Sequence, residues 1–167
     1  MHNHSCILCG LDRQRRAGEM QDGNPRMIEN IRHHGYHKVG VFSEQANEPN
    51  FGYTVGLSHR YSHPELIVFG LDIDTEFDIL DAAIDALKEG ARFADNTESN
   101  EILEGLSVKF LHLTPSLYRE YVQQACNFYG GNSFAVLVLT WPDSNGTYPS
   151  SALAPSWLRK RQPSVWN

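Results

Sequence analysis

From residue 25 onward the apolar positions fall into short segments of alternating helical and strand period, whereas residues 1–24 are polar and aperiodic and predict an arm outside the core. Asn24 before Pro25 is a helix cap followed by a proline at the first helical position. Met27, Ile28 and Ile31 then give a short apolar face before Gly35, so a helix is predicted over about 26–34. Tyr36 to Phe42 has β-branched and aromatic residues in partial alternation and predicts a strand. In the next strand Phe51, Tyr53, Val55 and Leu57 occupy one face, and Gly52, Thr54 and Gly56 leave the other nearly bare. Such a face admits a closely packed helix or an approaching ligand. Glu65 to Leu71 predicts a third strand, whose continuous apolar stretch Leu66 to Phe69 requires cover on both faces.

Asp74 or Thr75 then caps a helix carrying Phe77, Leu80, Ile84 and Leu87 at three- and four-residue spacing, stopped by Gly90. After a polar connection, Leu106 to Leu113 reads as a strand. Thr114-Pro115 opens a helix with Leu117, Tyr118, Tyr121, Val122 and Ala125 that ends towards Gly130, and Phe134 to Trp141 is the last strand. Pro142, Asp143, Asn145 and Gly146 form a turn into a tail without periodicity. The pattern predicts an α+β fold: a mixed, largely antiparallel five-stranded sheet or half-barrel with three helices. It divides the chain into an arm at 1–24, one globular domain at 25–150 and a tail at 151–167 lying across that domain.

Composition narrows the class. With 167 residues, 41% of them hydrophobic, the chain has the length and apolar content to bury one core and is not a disordered protein. A formal charge of −6 argues against nucleic acid as the main partner, since a basic face is needed to displace counterions from phosphates. Arg13, Arg15 and Arg16 near the start and Arg159, Lys160 and Arg161 near the end read as solvated segments. The longest apolar run, Phe134 to Leu139, is too short for a membrane span, and no early segment reads as a signal peptide, so a cytoplasmic protein is expected. Three cysteines do not suggest a secreted disulfide framework.

Chemistry concentrates between the second and third strands. His59 and His63 flank that junction, with Tyr53 and Thr54 on one side and Glu65 on the other. A histidine exchanges protons near neutral pH, and an adjacent carboxylate orients its ring and raises its basicity. Tyr53 and Thr54 are candidate donors to a ligand. The competing reading is an ordinary polar connection in which Glu65 caps backbone groups. Cys6 and Cys9 have the spacing of half a zinc site, which His2 and His4, or a histidine pair from the fold, would have to complete; two ordinary reduced thiols are the competing reading. Cys126 reads as a core thiol. Trp141 and Asp143 end the last strand and are candidate ligand contacts, Asp143 also being suited to accept backbone hydrogen bonds in its turn. The motifs GxxxxGK, GxGxxG, GxSxG and HExxH are absent.

Several separated motifs carry a resemblance: HGY at His34 to Tyr36, FGYTVGL at Phe51 to Leu57, HPELIVFGL at His63 to Leu71, LVLTWPDSNGTYP at Leu137 to Pro149, and QP at Gln162-Pro163. In this order and spacing the chain resembles the bacterial family known as domain of unknown function 4262, over roughly residues 26–163. The resemblance implies shared architecture and a shared pocket and no particular reaction. It also singles out His34 among His33, His34 and His37, because His34 stands in the HGY motif, whereas His33 suits the negative end of a helix dipole. Three readings follow. One is a pocket enzyme using His59, Glu65 and His34 in acid–base chemistry on a small molecule. Another is a ligand-binding module resembling flavin-binding split barrels. The third is an interaction or accessory protein with a zinc-binding arm.

Overall fold

The computed structural model describes residues 24–166, so the arm with Cys6 and Cys9 lies outside the described residues. Helix α1 (Pro25–His34) starts where its pattern predicts: the Asn24 side chain accepts from the Met27 N–H at 3.3 Å, and Gly35 ends the helix with φ 88°. Its buried stripe is Met27, Ile28 and Ile31.

Six strands, β1 (His37–Val41), β2 (Phe51–Val55), β3 (Glu65–Phe69), β4 (Thr97–Leu103), β5 (Leu106–His112) and β6 (Val136–Thr140), form one sheet in the order β1-β2-β3-β6-β5-β4. Every neighbouring pair is antiparallel except β3 and β6, which run parallel with Leu66 opposite Leu137. The fold is therefore α+β with a mixed sheet, and it has one strand more than the sequence pattern suggests. That strand, β4, reads TESNEIL and buries only Ile102. It pairs on one side alone, with β5, so no apolar alternation is needed, and its exposed glutamates discourage further strand addition.

The remaining helices are α2 (Leu57–Tyr61), α3 (Ile73–Lys88), α4 (Tyr118–Tyr121), α5 (Gln123–Tyr129) and α6 (Ser156–Arg161), with a 3₁₀ turn at Pro115–Leu117. Helix α3 is capped by Asp72, two residues before the earliest expected cap: its carboxylate accepts from the Thr75 N–H at 2.9 Å and the Thr75 hydroxyl at 2.7 Å. The single helix expected after Thr114-Pro115 is interrupted at Val122 (φ −126°, ψ 41°), which divides α4 from α5. Leu57, expected as the last residue of a strand, is helical, because Gly56 at φ 115° turns the chain out of β2. Helices α2 and α6 are too short to register as a period, each burying one residue.

Both faces of the sheet are covered. Ile67 and Phe69 of β3 and Val136 and Val138 of β6 pack with α1, α4 and α5; Leu66 and Val68 with Leu137 and Leu139 pack with α3 and α6. This two-sided burial explains the unbroken apolar runs of β3 and β6. At Gly52 the bare face of β2 serves α3: a Cβ there would lie 3.4 Å from the Phe77 ring, and one at Gly40, its partner on β1, would lie 2.9 Å from Ile73. A ligand approaching that face at Gly52 would meet Phe77. At the far end of the central pair, Gln162 clips the chain to Trp141. Its oxygen accepts from the Trp141 N–H at 3.0 Å, its nitrogen donates to the Trp141 carbonyl at 2.9 Å, and the Trp141 indole donates to the Phe69 carbonyl at 2.9 Å.

Glu76, in the first turn of α3, is fully buried; one oxygen accepts from the Leu71 N–H at 3.1 Å and the other has no hydrogen-bond partner among the described residues. Burial pushes its carboxyl from 4.5 up to about 8. Between those values the unfolded chain has released a proton that the folded chain keeps, so stability falls as pH rises through this window. Glu76→Gln is expected to flatten the decline, measured as denaturation midpoint against pH from the acid to the alkaline side; an unchanged decline would show that Glu76 is not its source.

Candidate functional site

The β2–β3 junction is organised by Glu65, the first residue of β3, which is 0% exposed. Its carboxylate takes four donors. One oxygen accepts from the Thr54 hydroxyl at 2.6 Å; the other accepts from the Gly56 N–H at 3.0 Å, the Ser58 N–H at 3.1 Å and the Tyr129 hydroxyl. The Tyr129 oxygen in turn accepts from the N–H groups of Gly56 at 3.2 Å and His59 at 3.4 Å. These amides belong to the first turn of α2, which has no side-chain cap of its own. Glu65 and Tyr129 therefore cap α2 from two other elements, β3 and α5. Burial raises the carboxyl pKa of Glu65 against the opposing pull of its hydrogen bonds, and burial beside that carboxylate raises the Tyr129 phenol. Thr54 completes the unit by accepting from the Leu66 N–H at 2.9 Å while donating to Glu65.

His59 rides on this turn. It is half-buried, with its ring edge-on to Phe128 at 6.2 Å between centroids. Helix α2 ends at Ser62, which adopts φ 52°, ψ 38°, a left-handed conformation in a residue with a side chain. The neighbouring end of α1 comes close: a Cβ at Gly56 would lie 2.9 Å from the Gly35 carbonyl, and one at Gly35 would lie 2.8 Å from Arg60. His34 is exposed at that end of α1, next to Gly35. The backbones that carry His34 and His59 thus adjoin.

His63 is held apart from this group. It is 2% exposed, with Nδ1 2.7 Å from the Pro64 carbonyl and Nε2 3.0 Å from the Phe93 N–H. A carbonyl only accepts and an amide N–H only donates, so the ring must carry its proton on Nδ1 and be neutral. Burial lowers its pKa accordingly. The Phe93 ring packs edge-on against it at 5.6 Å. His63 staples the junction to the segment after α3.

The other expected contacts lie elsewhere. Tyr53 is 2% exposed beneath α5, its oxygen accepting from the Gln124 N–H at 3.3 Å and its phenol pushed up by burial to about 12. Trp141 and Asp143 follow β6, at the end of the parallel pair opposite Glu65. One Asp143 oxygen accepts from the Asn145 and Thr147 N–H groups, each at 2.9 Å, closing the turn there. The fold thus joins Thr54, Glu65 and the backbone of His59, brings His34 alongside, and separates Tyr53, His63, Trp141 and Asp143 from them. Cys126 is buried and its thiol is pushed up by burial. Among the described residues no group of three or more His, Cys, Asp or Glu is placed to hold a metal, and the proposed zinc ligands Cys6 and Cys9 fall outside those residues.

Tyr129 escaped sequence reasoning, since an aromatic residue before a helix-ending glycine looks like any other core residue. The available signal was on its partner: an acidic residue opening a strand of apolar residues must bring its donors from elsewhere in the fold. Tyr129→Phe is expected to destabilise the protein by about 1–3 kcal/mol, because the buried Glu65 carboxylate loses a donor and the Gly56 and His59 amides each lose a hydrogen bond to the phenol. Hydrogen exchange should quicken at Gly56 and His59 before it does in β6; uniform quickening would contradict a local capping role. For His63, acidification demands a second ring proton facing the Phe93 N–H. Its contribution to stability should be present above the ordinary histidine range, near 6.5, and be lost below it as pH falls through its lowered pKa. His63→Asn should diminish that loss in acid denaturation curves, and an identical acid limb would contradict the assignment.

Comparison with curated proteins and with solved structures returns no match. The family model described as domain of unknown function (DUF4262) matches residues 30–155, which contain α2, Glu65, Tyr129 and the whole sheet, and the chain therefore belongs to that family.

Proposed function

We propose that this chain is a small-molecule protein whose working site is the rim around α2, with His59 as the group that binds and moves a proton on the ligand. Glu65 and Tyr129 act there as positioning residues. The observation that carries this reading is a carboxylate buried whole, with no cation paired to it among the described residues, whose hydrogen bonds serve the turn bearing a half-buried histidine. Removing a carboxylate from water costs several kcal/mol, whereas a Ser or Asp cap next to α2 would hold so short a helix at far smaller cost. Perturbed ionisable groups and left-handed side-chain-bearing residues gather where geometry must be held tightly, and Ser62 closes the same turn. His34 supplies a second polar group at this rim.

The chemistry suited to such a site is proton transfer to or from a small polar substrate, with the His59 backbone fixed through Tyr129 and its ring braced by Phe128. No helix among the described residues is long and apolar enough to cross a membrane.

Saturation-transfer NMR of a small-metabolite library against wild type and His59→Ala tests the reading. Ligands that bind wild type are expected to be lost or weakened by roughly tenfold or more in the variant, the equivalent of one lost charge-assisted hydrogen bond. The melting temperature should hold, since the His59 side chain is only half-buried. An identical set of bound ligands in both proteins would remove His59 from the site.

A further inference from the structure

We propose a second ligand site, at the opposite end of the sheet from His59, that takes a small zwitterion of the amino-acid or short-peptide type. A cleft of about 500 Å³ opens where β3 ends, between the segment Ala46 to Asn50, the turn Gly70 to Asp72, and Lys160 and Arg161 of α6. This size suits a small ligand. The cleft opens beyond the carboxyl end of β3, one strand of the sheet's parallel pair.

The walls are fixed before any ligand arrives. Gly70 has φ 87°, and a Cβ there would lie 2.4 Å from the Arg161 carbonyl, so the turn after β3 and the end of α6 touch backbone to backbone. The next residue, Gln162, is buried and makes both its hydrogen bonds to Trp141. The basic end of α6 is thereby held against the cleft in a single position.

The charges decide the ligand. Among the described residues, the side chains of Lys160 and Arg161 have no ion pair or hydrogen bond, and neither has the carboxylate of Glu48 on the opposite side. Asp72, also in the wall, is already committed to capping α3 through Thr75. Asn50 is committed through its oxygen, which accepts from the Ser43 N–H at 2.9 Å. Two cations on one wall and an uncommitted carboxylate on the other match a molecule with a carboxylate at one end and an ammonium at the other. A simple anion would answer Lys160 and Arg161 and be repelled by Glu48; a simple cation would meet the reverse.

Three peptides separate these cases when titrated into the full chain by NMR: glycylglycine, its N-acetyl derivative, which keeps only the anion, and glycylglycinamide, which keeps only the cation. Glycylglycine is expected to shift Gly70 and Leu71 saturably, and to bind more tightly than either blocked peptide by roughly tenfold, as each loses one charge-assisted contact. Lys160→Gln with Arg161→Gln should weaken glycylglycine by a similar factor. Glu48→Gln should weaken glycylglycine and tighten the acetylated peptide, whose carboxylate no longer meets a like charge. All these side chains are exposed, so melting temperatures should stay at the wild-type value; Lys160→Gln alone serves if the double variant does not fold. Equal affinity for the three peptides, shifts centred on residues 56–59, or no saturable shift would each overturn the proposal.

Discussion

A carboxylate without water must find its hydrogen-bond donors inside the protein, and the arrangement of this molecule around β3 follows from how Glu65 does so. Its donors come from β2, from the turn that opens α2, and from the end of α5. Two neighbouring segments and a third 64 residues away are thereby placed to within a hydrogen bond of one carboxylate. Shifting β3 by one residue would turn Glu65 away from these donors and an apolar neighbour into them, so the polar cluster also enforces register in a strand whose apolar residues alone would pack in several ways.

The same centre explains why so short a helix as α2 is formed at all. Five residues cannot stabilise a helix by their own hydrogen bonding. Here the unsatisfied first-turn amides are taken by Glu65 and Tyr129, and the end of α1 closes over Gly56, where only a glycine fits beneath the Gly35 carbonyl. His59 is thus displayed from a turn held by tertiary contacts. His63, four residues later, flanks the same junction in the sequence, yet both its ring nitrogens are consumed by backbone groups. One histidine is structural and the other faces the rim, a distinction of burial and partner that residue type does not carry.

The opposite end of the central strands is organised by backbone recognition. Gln162 presents its amide to Trp141 as another strand would, pairing with both the N–H and the carbonyl. The resemblance drawn from WP and QP thus rests on two motifs that bond to each other. This clip brings the basic α6 to the carboxyl end of β3, although the intervening chain has no periodic signal of its own.

What could be read from the sequence was local or periodic. The cap and stripe of α1, the long stripe of α3 and the α+β class follow from spacing, because a helix or strand buried on one face must repeat its apolar residues at that element's period, and the two-sided burial of β3 follows from its unbroken apolar run. Strand β4 carried no such signal, since an edge strand buries little, and the break at Val122 falls at a residue buried in the core, which the helical spacing around it does not mark. The sequence likewise marked the β2–β3 junction as chemically dense. Tertiary structure alone decided that Glu65 meets Tyr129, 64 residues away, and that His63 turns inward while His59 stays at the rim, because such contacts depend on which distant donors the fold brings to each side chain.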